Sequence, residues 1–207
     1  MIHVRLTLLD IRTFNAEKIL RGLPEELRKK ALRYRKEDDQ LRSIGSSFLL
    51  LKAAKGHEIH YSTAGKPFTD SENFFNISHS GNYVVLAEAD LPVGVDVERA
   101  ADIGINDGLK NIALTQREKF WVKDSLLRFY VVWTRKESLI KCEGRGFVSE
   151  PNMIEAIDEN DFDAPLIYEG KYYMIDSFMI DGHVISFAVN ISGSNHHKTI
   201  TAQNQQQ

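Results

Sequence analysis

A single cysteine, Cys142, stands in the 207 residues. That excludes a disulfide framework and a cysteine-built metal site within one chain, and it suits a reducing, cytoplasmic setting. Long hydrophobic runs are missing too. None approaches the ~18–20 apolar residues of a bilayer-spanning helix, so no membrane span is expected. The opening Met1-Ile2-His3-Val4-Arg5 lacks the charged and apolar regions of a signal peptide and reads as a strand. An excess of one charge is also lacking. The net charge is −3, so any preference for nucleic acid or membrane has to be local.

What is present is a globular composition, 43% hydrophobic and 27% charged, in a length that suits one large domain or two small ones. Residues 2–9 read as a strand. Residues 24–36 read as a helix, with Pro24 at its start and acids in its first turn, where the helix dipole favours them. A longer helix over 38–55 spaces Leu41, Ile44, Phe48 and Leu51 at helical period, with Gly56 as its stop. Phe74–Ile77, Tyr83–Ala89 and Val93–Val97 read as strands, and Ser78–Asn82 as a polar loop or helix start. Thr115-Gln116-Arg117-Glu118 spells a capping box. Residues 124–141 form an amphipathic helix ended by Gly144 and Gly146, and 155–163 an acidic surface loop. Residues 171–178 and 183–191 read as strands joined by the hairpin signal Asp181-Gly182. The order implies an α+β fold of two halves, 1–92 and 93–192, followed by a disordered polar tail, 193–207.

Two segments carry chemistry. Gly94-Val95-Asp96-Val97-Glu98 puts two carboxylates on one face of an otherwise apolar strand, where they repel unless solvated or bridged by a cation. Mg²⁺ is held by such a pair plus waters and substrate phosphates; the bland alternative is a strand end with two solvated acids. Trp133–Lys141 puts Glu137 and Lys141 at i and i+4 on a helix. That is either a simple stabilising pair or a general base beside a phosphate-binding cation. Glu118 is a third candidate ligand, although the capping box alone accounts for it. Ser78-His79-Ser80-Gly81 could cradle an anion or be an ordinary turn. Residues 28–36 hold six basic residues and one aromatic, Tyr34, without a nucleic-acid fingerprint.

Taken in order, Gly65-Lys66-Pro67, Asn76-Ile77-Ser78-His79-Ser80, Gly94–Glu98 and Trp133–Lys141 resemble the motifs of 4′-phosphopantetheinyl transferases of the surfactin-synthetase-activating type, and Arg42-Ser43-Ile44-Gly45 is similar to an early helix of that family. The resemblance implies a pseudo-dimer of two similar α+β halves with coenzyme A in the cleft between them. It implies transfer of phosphopantetheine from coenzyme A to a serine of an acyl or peptidyl carrier protein, releasing adenosine 3′,5′-bisphosphate. By resemblance, Asp96, Glu98 and Glu118 bind Mg²⁺, Glu137 is the base, and Lys141 contacts the pyrophosphate. Ser78 and His79 meet coenzyme A phosphates, and Lys66 and Arg42 its adenosine and 3′-phosphate end. A monomer acting without nucleic acid or membrane is expected. The competing class is a non-catalytic module that binds coenzyme A or a carrier protein, against which the joint presence of Asp96, Glu98, Glu137 and Lys141 argues.

Overall fold

The computed structural model describes residues 2–101, 105–146, 150–157, 165–192 and 198–202. The chain opens with β1 (Ile2–Asp10) and three helices, α1 (Ala16–Gly22), α2 (Glu25–Leu32) and α3 (Glu37–Ala54). Two short strands, β2 (His60–Tyr61) and β3 (Pro67–Phe68), precede β4 (Phe74–Ser80), β5 (Tyr83–Ala89) and β6 (Val93–Arg99). Then come α4 (Asp107–Ala113), α5 (Gln116–Val122), α6 (Leu126–Glu143) and a 3-10 turn at Pro151–Met153. The chain continues as β7 (Leu166–Tyr168), β8 (Lys171–Ile180), β9 (His183–Asn190) and β10 (Lys198–Ala202). The mixture is the expected α+β class.

Strand alternation builds the layers. One sheet runs β10-β1-β5-β4 and another β6-β9-β8-β7. Leu6 and Leu8 of β1, Val85 and Ala87 of β5, Val95 and Val97 of β6 and Ile185 and Phe187 of β9 bury into one shared core. The intervening residues face helices. Leu9, Val84 and Leu86 meet Leu49 and Ala53 of α3, while Ala188 and Ile175 meet Leu139 and Ile140 of α6. Each sheet thus has one face in the common core and the other under an 18-residue helix. Burying the Val, Leu, Ile and Phe side chains just named, at roughly 1.5–3 kcal/mol each, outweighs any single polar contact described below.

Several local signals act as read. Thr115 and Glu118 close both arms of the capping box at the start of α5. Gly144 takes a left-handed φ of +72° just past α6, the backbone form that glycine adopts without cost. Asp181 and Gly182 both have positive φ, as a two-residue hairpin turn requires. Other positions differ. α3 ends on Lys55 in the left-handed region, one residue before Gly56. α1, capped by the Asn15 side chain on the Lys18 N–H, carries no strong sequence signal. β4 continues through Ser78, His79 and Ser80, so the expected loop is only the Gly81-Asn82 turn. Lys198–Ala202, in the stretch expected to be disordered, runs parallel to Ile2–Leu6 of β1. Pairing there satisfies backbone groups of β1 that composition alone does not reveal. Of the expected acidic loop, residues 158–163 lie outside the described residues, while Ala156 and Ile157 are buried. The lone Cys142 is buried, donates to the Pro92 carbonyl at 3.1 Å, and has its thiol pushed up to about 12 by burial. It is a packing residue.

Candidate active site

The site forms where the edge strand β4 of one sheet meets the edge strand β6 of the other. Alternation decides who faces whom. Val93, Val95 and Val97 enter the shared core, so Gly94, Asp96 and Glu98 point the opposite way, toward α6. Gly94 lets the helix in: a Cβ there would stand 2.1 Å from the Ser138 carbonyl oxygen and 2.3 Å from the Cys142 nitrogen. This close approach brings Glu137 and Lys141, one turn apart on α6, alongside the two strand carboxylates.

Asp96 is only 3% exposed. Its Oδ1 accepts from Ser78 Oγ at 2.9 Å and from Lys141 Nζ at 2.5 Å, and Lys141 also donates to Ser78 Oγ at 3.0 Å. Its Oδ2 is buried and has no hydrogen-bond partner among the described residues. Burial raises the Asp96 pKa above the ordinary carboxylate range, against the opposing pull of Lys141. Glu98 accepts from Ser80 Oγ at 2.8 Å; burial and then the Asp96 charge raise its pKa. Glu137 is pushed up to about 7, first by burial and then by the Asp96 charge, with Lys141 opposing and Glu98 adding. Mutual perturbation of this kind shows that the three carboxylates and the ammonium share one electrostatic neighbourhood.

β4 supplies the opposite wall through a period-two row. Asn76 Oδ1 accepts from the Val95 N–H at 2.9 Å, Ser78 reaches Asp96, and Ser80 both donates to Glu98 and accepts from the Arg99 N–H at 3.2 Å. His79 points to the other side of the strand and is exposed. Its pKa is lowered by partial burial and then by the Arg42 and Lys141 charges. Arg42 itself is committed: Nη1 donates to the Gly81 carbonyl at 2.6 Å and Nη2 to Asp39 Oδ1 at 2.5 Å. Lys66 donates to the carbonyls of Val93 at 2.9 Å and Cys142 at 3.0 Å, tying β6 to the end of α6. Desolvation lowers its pKa.

Glu118 does not join the group, and its expected role as a metal ligand is corrected to a structural one. It is fully buried, with Oε1 on the Ala156 N–H at 2.9 Å and Oε2 shared between the Thr115 N–H and the Lys136 ammonium. Lys136 also donates to the carbonyls of Ala113 and Pro151, both at 2.8 Å. Arg135, likewise buried, donates from Nε to the Ala156 carbonyl at 2.7 Å. The two cations that precede Glu137 in the motif therefore anchor α6 to its surroundings, and Glu137 is the residue that faces the strand carboxylates.

Among the described residues no three His, Cys, Asp or Glu side chains converge at ligand distance. The donors nevertheless suit a hard cation: carboxylate oxygens are what Mg²⁺ prefers, and the buried Asp96 Oδ2 lacks a protein donor where a cation would satisfy it. From the sequence alone, Asn76 and Gly94 have no role of their own and Ser80 enters only as part of an anion-binding turn. The signal available was the polar-apolar alternation of Asn76-Ile77-Ser78-His79-Ser80, which reads as a half-buried strand rather than a loop.

Residues 92–189, the stretch from β6 to β9, match the sequence model of the 4′-phosphopantetheinyl transferase superfamily. The likeness to the surfactin-synthetase-activating type also holds against curated proteins. The chain is 35% identical over 112 residues to the 4′-phosphopantetheinyl transferase gsp of Aneurinibacillus migulanus, covering 52% of this chain and 46% of the relative. It is 31% identical over 143 residues to the 4′-phosphopantetheinyl transferase Sfp of Bacillus subtilis, covering 63% and 64%. It is 30% identical over 148 residues to the human L-aminoadipate-semialdehyde dehydrogenase-phosphopantetheinyl transferase, covering 64% and 45%. The matches thus span about half to just under two thirds of these relatives' own lengths.

Proposed function

We propose that the protein transfers 4′-phosphopantetheine from coenzyme A to a serine of an acyl or peptidyl carrier protein, with Mg²⁺ bound by Asp96 and Glu98. The observation that carries this reading is the Asp96–Glu98–Glu137–Lys141 cluster: one carboxylate held near neutrality beside two acids and a cation. The serine hydroxyl attacks the β-phosphorus of the coenzyme A pyrophosphate. A new Oγ–P bond forms, the bond to the bridging oxygen breaks, and adenosine 3′,5′-bisphosphate leaves. Glu137, whose carboxyl titrates at about 7, takes the hydroxyl proton, the task for which a base tuned to working pH is suited. Lys141 turns from Asp96 to the pyrophosphate and stabilises charge on its oxygens. Asp96 and Glu98 would hold the Mg²⁺, which would supply charge neutralisation at the strand carboxylates and the pyrophosphate.

Ser78 and His79, beside Lys141, are proposed to meet the coenzyme A phosphates, and Arg42 and Lys66 its adenosine end. Arg42 would exchange Asp39 for a phosphate, and Lys66, with two of its three N–H donors used, retains one. The halves 1–92 and 93–192 would frame the cleft, with the protein acting as a cytoplasmic monomer away from nucleic acid and membranes. No described helix is long and apolar enough to cross a bilayer. Intact-protein mass spectrometry of an apo carrier protein incubated with this chain, coenzyme A and Mg²⁺ tests the proposal. A gain of one phosphopantetheine, abolished by EDTA, is expected. A folded sample that binds coenzyme A yet modifies none of a panel of carriers would establish a binding module instead.

A further inference from the structure

A cavity away from the candidate site lies between α1, α3 and the end of β1. It measures about 880 Å³ and opens on one side to solvent. Among the described residues the pairing of β10 with β1 reaches Leu6, and Thr7–Asp10 beyond it line the cavity. Leu9, Phe14, Ile19, Phe48 and Leu49 supply its wall. The volume falls within the roughly 300–1,000 Å³ usual for small-molecule sites, which are apolar with a few oriented polar groups.

The charges on its rim are one-sided. Lys18 from α1 and Lys52 from α3 both line the cavity. Neither ammonium has a carboxylate within ion-pair reach among the described residues; the one contact given for Lys52 is the Phe48 ring, 5.2 Å away. The sole acid in the lining, Asp10, is paired with Arg12, Nη2 to Oδ2 at 2.6 Å, a guanidinium that also reaches Asp181 at 2.8 Å, and its pKa is held down by that guanidinium. An apolar wall with two uncommitted cations at its mouth complements a molecule with a long hydrocarbon tail and a single anionic head.

We propose that this groove binds a fatty carboxylate, its chain along the α1–α3 wall and its head between Lys18 and Lys52. The inference does not depend on the transferase reading, and its test involves no turnover. Isothermal titration with dodecanoate, kept below its micellar concentration, is expected to show saturable binding at one site. The Lys18→Glu/Lys52→Glu variant changes two exposed side chains; it is expected to keep the wild-type melting temperature and to lose at least ten-fold in affinity. Dodecanol, with the same tail and no charge, is expected to bind at least ten-fold more weakly than dodecanoate. Absence of saturable binding overturns the proposal, as does equal affinity for acid and alcohol or an unaffected double variant. A dimer in light scattering that persists at saturating dodecanoate and that Lys18→Glu/Lys52→Glu dissociates would also overturn it, assigning the groove to a second copy of the chain.

Discussion

Asn76 Oδ1 accepts the backbone N–H of Val95 at 2.9 Å, joining the edge strand of one sheet to the edge strand of the other. Asn76 is 4% exposed and Val95 is fully buried, so the bond is made away from water. It fixes the register that sets Ser78 opposite Asp96 and Ser80 opposite Glu98. Asn76→Ala leaves a buried N–H without a partner, at a cost of about 1–3 kcal/mol. A lower urea midpoint at unchanged slope is the expected readout, together with weaker apparent Mg²⁺ affinity in the transfer assay. A variant with wild-type stability would show that the bond sets nothing.

Glu137→Gln is expected to slow carrier modification by about 10²–10⁴-fold, the usual contribution of a positioned base, with coenzyme A affinity changed only a few-fold. The pH profile sharpens this. The wild-type rate is expected to fall as pH drops through about 7, where the carboxylate takes up its proton, and the variant should lack that limb. Stopped-flow or discontinuous mass-spectrometric rates between pH 5.5 and pH 8.5 check both.

The same group affects stability in the metal-free protein. Its folded pKa, about 7, lies above the ordinary 4.5, so the folded state holds its proton longer than the unfolded chain does. The stability it contributes is full below about 4.5 and is lost as pH rises through about 7. Asp96 and Glu98, raised by burial, act in the same direction. Denaturant midpoints in EDTA are expected to fall across this interval, less steeply in Glu137→Gln. A midpoint that rises instead contradicts the clustered-carboxylate geometry.

Gly94→Ala tests the approach of α6 to β6. The added methyl would stand 2.1 Å and 2.3 Å from backbone atoms of the helix, which cannot swing aside as a side chain can. Overpacking of this kind costs about 1–3 kcal/mol or more. The expected result is a large drop in melting temperature by circular dichroism, with activity lost in proportion to displacement of Glu137 and Lys141.

Glu118→Gln separates a structural acid from a metal ligand. Removing one charge of a buried pair costs about 3–5 kcal/mol, so the urea midpoint should fall clearly. The Mg²⁺ concentration for half-maximal rate should stay within two-fold, while Asp96→Asn should raise it strongly or abolish turnover. The opposite ranking would return Glu118 to the metal site.

The sequence by itself determined the α+β class, the two long helices, the capping box at Thr115, the turn at Asp181-Gly182 and the pairing of Asp96 with Glu98 on one strand face. These follow from local rules, namely period, caps and turn conformers, which act over a few residues. Tertiary structure decided what each charged group faces. Glu118, Glu137, Lys136 and Lys141 are alike in the sequence, two acids and two lysines on helices. One acid and one lysine are fully buried together under α6, and the others flank Asp96. The choice depends on contacts between residues 15 to 63 positions apart, on how closely Gly94 lets α6 approach, and on which sheet edges meet. Desolvation and the field of neighbouring charges, which raise Glu137 to about 7, exist only once those distant segments are packed. The strand at Lys198–Ala202 forms for a similar reason: its partner is the far end of the chain, and only the fold brings the two together.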